Sequence, residues 1–166
     1  MIGSESYKEE YCNELVGNWV KEPASLCEIA VTQPQSDYAA YTNGYRSKFT
    51  FFFRTIENFQ QFVAPIDELL SERFIPTLFG SDTPLDEYRR LFTLNPSEGG
   101  LYINILSEEA EDQFNASTKI TQPHVSSITN QENIMRYTNQ DGKTSSELKT
   151  ESRAILNEKR KQKRSR

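Results

Sequence analysis

This sequence is poor in histidine, cysteine and long apolar runs, and each shortage removes a class of chemistry. His124 is the only histidine, so Ser-His or Cys-His catalysis would have to pass through that one residue. It follows Pro123 in a polar neighbourhood with no acid placed to orient it, which favours a surface or helix-cap role. The only cysteines, Cys12 and Cys27, form no CxxC pair and have no histidine nearby, so neither a zinc site nor a disulfide framework is indicated. No stretch approaches the roughly 18 apolar residues of a membrane span, and the N-terminus lacks the apolar run of a signal peptide. The expectation is a soluble intracellular chain, cytoplasmic or nuclear, with no membrane partner. The sequon Asn115-Ala116-Ser117 is then incidental, because glycosylation needs a secretory context.

Apolar residues are also scarce for a chain of 166 residues: 36% of the total, with a mean hydropathy of −0.71. The deficit lies at the C-terminus, where the large apolar residues after Asn130 are Ile134, Met135, Tyr137, Leu148, Ile155 and Leu156. Residues 1–130 therefore read as one packed helical domain, and 131–166 as a polar, basic-ended, disordered tail. Charge divides the same way. Residues 151–166 carry seven Lys and Arg against two Glu, leaving 12 basic and 22 acidic residues ahead of them. An acidic body disfavours non-specific nucleic-acid binding, which comes mainly from phosphate neutralisation, unless a local basic face or the tail supplies the contact.

Against these shortages stands one concentration. Between Gln35 and Thr55 lie Tyr38, Tyr41, Tyr45, Phe49, Phe51, Phe52 and Phe53, with Arg46, Lys48 and Arg54 threaded among them. Tyr38, Tyr41, Tyr45, Phe49 and Phe52 recur in steps of three and four, one face of a helix. That face is either a core stripe with solvated cations opposite, or a nucleic-acid surface on which cations meet phosphates and rings stack on bases. Spacing does not choose between them.

Helices are expected from Ser4 to Val20, from Ala24 to Ala30 after an interruption at Pro23 with Leu26 and Ile29 inward, and from Pro34 to about Arg54. A fourth follows Pro65 and ends before Pro76 or at Gly80, and a short one spans Leu85 to Phe92. Asn95 to Gly100 is the strongest turn signal, with Gly99 and Gly100 in a turn requiring positive φ; it lacks the GxGxxG or GKS setting of a nucleotide loop. Leu101 to Ile105 alternates and is either a short strand or an extended segment. Ser107 can cap a helix to about Lys119, with Pro123 as its break and a last turn holding Val125 and Ile128. The fold class is thus mainly α, a compact helical bundle. Asp67-Glu68, Asp86-Glu87 and Glu108-Glu109 read as solvated helix faces, so no metal site and no cofactor are indicated.

The order of motifs resembles the region after the polymerase palm in animal retrotransposon-encoded reverse transcriptases. The run LCEIAVTQPQSDYAAYTNGYRSKFTFFFRTI, residues 26–56, is similar to that family's QPQxAYAAFxHG block with its following RT pair. Arg73-Phe74-Ile75-Pro76-Thr77-Leu78-Phe79-Gly80 is similar to its FIPALTG block. Leu94 to Ile105 resembles its Gly-Gly block, and Ala110 to Ile128 its last one, through Phe114, Ala116, Ser117, Ile120, Thr121 and Pro123. Together the blocks cover roughly residues 5 to 131. The sequence departs from the pattern at Ser97, where the family has Arg, at Tyr102, where it has Gly, and at His124, where it has an apolar residue.

The resemblance implies a thumb-like helical module that positions a template–primer duplex by backbone contacts, without chemistry of its own. Two-metal polymerisation needs paired carboxylates, and no Asp-Asp pair occurs in these 166 residues. Expected partners are an RNA–DNA hybrid or other nucleic acid, and a palm-containing reverse transcriptase. The candidate phosphate contacts are Arg46, Lys48 and Arg54, with Lys159, Arg160, Lys161, Lys163 and Arg164 in a C-terminal run where six of eight residues are cationic. The alternative is a helical protein–protein interaction or structural module, or an inert remnant. A continuous strip of Arg46, Lys48, Arg54, Arg89, Arg90 and Lys119 would favour nucleic acid; cations scattered among carboxylates would favour the alternative.

Overall fold

Aromatic residues that recur at helical spacing must be covered, and covering them organises the chain. The computed structural model describes residues 5–81, 85–130 and 142–164; it is mainly helical, with no β-strand among the described residues. Helix α1 (Glu5–Trp19) buries Cys12, Val16 and Trp19. Tyr7 and Tyr11 are exposed, although they head the four-residue repeat that ends at Trp19. A strict repeat of four advances by about 40° per step around a 3.6-residue helix, so only one end of such a stripe can face the core. Helix α2 (Lys21–Ala30) begins before Pro23 and does not break there. Pro23 lies in the first turn, where its missing N–H has no intrahelical partner to lose. Its buried face is Pro23, Cys27 and Ala30, leaving Ile29 exposed rather than inward.

The aromatic stretch is not one helix to Arg54. Helix α3 (Pro34–Asn43) ends at Gly44, a 3-10 segment spans Tyr45–Phe49, and α4 covers Thr50–Thr55. Tyr41, Tyr45, Phe49 and Phe53 are buried in the core at intervals of four across this break, with Tyr38 and Phe52 partly buried beside them. Trp19 meets Phe49 and Phe52 edge to face at 5.0 and 4.9 Å, and Tyr41 packs on Phe74 at 5.1 Å. The buried Tyr45 hydroxyl donates to the Trp19 carbonyl at 3.0 Å, fixing α1 against the 3-10 turn. Burial pushes the Tyr41 and Tyr45 phenols well above their ordinary range. The stripe is therefore core, and Phe51, which lies off that face, is exposed.

The chain next runs through α5 (Ala64–Leu69), a π turn (Leu70–Phe74) and α6 (Ile75–Leu78) without stopping at Pro76. The wide turn just ahead of Pro76 relieves the clash its ring would make with the preceding carbonyl turn. Gly80, at φ 63, ends this helix, and the Ser81 amide donates back to the Pro76 carbonyl. A 3-10 turn (Asp86–Tyr88) leads into α7 (Arg89–Phe92). Ser81-Asp82-Thr83-Pro84 has the composition of a cap and first turn for this stretch, but Asp82, Thr83 and Pro84 lie outside the described residues.

The last two helices depart most from the sequence reading. Helix α8 (Leu106–Asn130) continues through Pro123, which is buried inside it. The Ser145 hydroxyl donates to the Ile120 carbonyl at 2.9 Å, while the carbonyl that Pro123 leaves without its intrahelical donor is that of Lys119, four residues back. Beyond Asn130, where disorder was expected, helix α9 (Ser145–Arg164) packs on α8 with Leu148 and Ser152 buried. Leu148, Ser152, Ile155 and Leu156 share one helical face, a stripe too sparse to register as composition but sufficient for docking.

Asp37, on α3, is 1% exposed, and neither carboxylate oxygen has a hydrogen-bond partner. Burial pushes its carboxyl up to about 6 from 3.8. A folded-state pKa above the unfolded one means that stability is greatest below pH 3.8 and falls as pH rises through about 6. Asp37→Asn is expected to raise stability on the order of 2–3 kcal/mol near neutral pH and to change it little near pH 4, as read by urea unfolding at both pH values. Equal effects at both would contradict this.

Candidate functional site

The extended segment Leu101–Ile105 gathers most of the polar side chains that the sequence had suggested for other tasks. It is not a strand. Its amides bond back to the end of α7: Leu101 and Ile103 donate to the Phe92 carbonyl at 3.2 and 3.0 Å, and Tyr102 to the Leu94 carbonyl at 2.8 Å. The turn before it is closed by a capping box between Asn95 and Glu98. Gly99 adopts φ 84, as the turn signal required, whereas Gly100 is dictated by proximity: a Cβ there would lie 2.2 Å from the Leu94 carbonyl oxygen. Tyr102 holds φ 57, a conformation that glycine tolerates best.

Side chains from four other elements converge on this segment. Tyr38 of α3 donates to the Leu101 carbonyl at 2.8 Å. Arg89 of α7 donates through both terminal nitrogens, to Ile103 at 2.7 Å and Asn104 at 2.8 Å. Arg46 lies flat over the Tyr102 ring, its guanidinium carbon 3.4 Å from the centroid. Asp67 of α5 accepts from the Leu106 and Ser107 amides at 2.7 and 2.9 Å. Asp67, not Ser107, therefore caps α8, and it is no solvated helix face. Glu109 is likewise engaged, accepting from the Asn104 amide at 2.6 Å.

The candidate phosphate contacts are dispersed by these arrangements. Arg46 stacks inward, and its Nε is buried. Lys48 pairs with Glu22 of α2. Lys119 and Lys143 both reach Glu151 of α9, at 3.5 and 2.9 Å, and hold its carboxyl below the usual range. Lys159 pairs with Asp112 of α8. Arg54 and Arg90 are exposed. The backbones of Arg160, Lys161, Lys163 and Arg164 belong to the last turns of α9; their side chains lie outside the described residues.

A cleft of about 380 Å³ opens between the extended segment, the start of α8 and α9. Tyr102, Ile105 and Leu156 contribute apolar lining, Glu98, Glu108, Glu109 and Asp112 make the lining acidic, and Lys159 supplies a cation. Among the described residues no group of three His, Cys, Asp or Glu is placed to hold a metal ion. His124 Nε2 lies 2.8 Å from the Ser145 hydroxyl. That hydroxyl already donates to Ile120, so the imidazole N–H donates to Ser145 and the pair links α8 to α9 rather than generating a nucleophile. No described helix is long and apolar enough to cross a membrane. No protein family, curated protein or solved structure matches this chain.

Arg46 and Lys48 should thus separate on substitution. Arg46→Ala is expected to lower stability by about 1–2 kcal/mol, because it uncovers Tyr102 and removes a desolvated cation–π contact. Lys48→Ala, which loses a solvated pair, should change it by less than about 0.5 kcal/mol. Urea unfolding compares the two, and equal shifts would deny Arg46 its internal role.

Proposed function

We propose that this chain is a non-catalytic module akin to the thumb-like, post-palm region of retrotransposon reverse transcriptases. Its helical body acts as a scaffold, and its phosphate contacts come from the basic end of α9. One observation carries this assignment of roles: Arg46, Lys48, Lys119 and Arg89 are all engaged within the body, which removes them as a ready strip for phosphates. Support for the resemblance comes from the Gly-Gly block. The position where that pattern has Gly and this chain has Tyr102 adopts positive φ, and Gly100 has no room for a side chain. The chemistry of polymerisation belongs in this reading to a palm-containing partner, since this sequence contains no Asp-Asp pair.

A second reading, a helical protein–protein or structural module without nucleic-acid binding, is favoured by the placement of Lys48, Lys119 and Lys159 on carboxylates. Titration with an RNA–DNA hybrid at two salt concentrations discriminates. The full chain is expected to bind with a marked salt dependence. Replacing Lys159, Arg160, Lys161, Lys163 and Arg164 by Gln should abolish binding, whereas Arg54→Gln with Arg90→Gln should retain most of it. A full chain that fails to bind even at low salt would support the protein-interaction reading instead.

A further inference from the structure

The first cation of the basic run at the end of α9, Lys159, lies against an acidic stretch of α8. The first half of α9 is anchored by Leu148 and Ser152, both buried. Ile155 is 44% exposed and Leu156 lines the cleft; beyond Leu156 the described contact of α9 with the body is polar. There Lys159 pairs with Asp112, and Glu108 and Glu111 add to the negative potential around its ammonium. Lys159 is also the first residue of the run in which six of eight are cationic. We propose that this contact is autoinhibitory: the acidic start of α8 holds the basic end of α9 against the body, and a polyanion must displace Asp112 to reach it.

The energetics suit a contact meant to yield. Side-chain exposures of 51% for Lys159 and 21% for Asp112 leave the pair accessible to solvent and to competing anions. Release would involve only the last turns of α9, because Leu148 and the Ser145 bonds hold its start. The inference rests on the proposed function, since it assigns the basic end of α9 a phosphate partner.

The test compares the full chain with Asp112→Asn, using Glu14→Gln, at an exposed position of α1, as a control for net charge. Two readouts are taken: amide hydrogen exchange over residues 155–164 without ligand, and RNA–DNA hybrid affinity across salt. Asp112→Asn is expected to speed exchange in that segment, to tighten hybrid binding by about threefold to tenfold at low salt, and to steepen the salt slope by about 1. Glu14→Gln should do none of these. Hybrid binding by Asp112→Asn equal to that of the full chain, or a gain matched by Glu14→Gln, overturns autoinhibition while leaving the function standing. Absence of hybrid binding by every protein overturns the function and this inference with it.

Discussion

The extended segment at Leu101–Ile105 is the constraint on which the rest of the molecule depends. An extended backbone inside a helical protein has no ladder to satisfy it, so its buried carbonyls and amides must find partners elsewhere. Here the partners come from Tyr38, Arg89, Phe92 and Leu94, and Asp67 closes the start of the helix that follows. Because Ile103 and Leu106 are fully buried, the segment is also an apolar plug between α3, α5, α7 and α8. Its geometry therefore fixes the direction of α8, and through α8 the docking of α9 and the shape of the acidic cleft.

That constraint changes what the cations mean. A guanidinium among aromatic residues reads equally well as a phosphate contact or as a structural fork, and sequence spacing is the same for both. Arg46 and Arg89 are drawn inward here, because the extended segment presents a ring and two adjacent carbonyls that a planar, multiply donating guanidinium covers. The lysines, which are point charges on flexible stems, lie instead on carboxylates of neighbouring helices.

Local signals were legible where one residue type has one physical use. The aromatic stripe marked one helical face whose burial the spacing left open, Gly99 gave a positive-φ turn and Gly80 one of two helix ends, and the helical class followed from periodicity. Boundaries that depend on remote partners were not legible. Asp67 caps α8 from 39 residues away, which no local pattern announces. Pro123 lies buried inside α8 at a position that read as a break, and α9 was discounted because its apolar face is only a few residues wide. Gly44, in contrast, was a readable break inside the aromatic stretch, and the strength of the ring spacing obscured it. Of the candidate site, the sequence placed Lys159 in a basic run but could not show that Asp112 faces it.

The central claim is that an extended, side-chain-pinned segment holds the helices in place. Native-state hydrogen exchange at the amides of Leu101, Tyr102 and Ile103 tests it most directly. If the claim is right, these three amides exchange only with global unfolding, at the same free energy as amides in the middle of α8. Exchange at the rate of a solvent-exposed loop, while α8 remains protected, would contradict it.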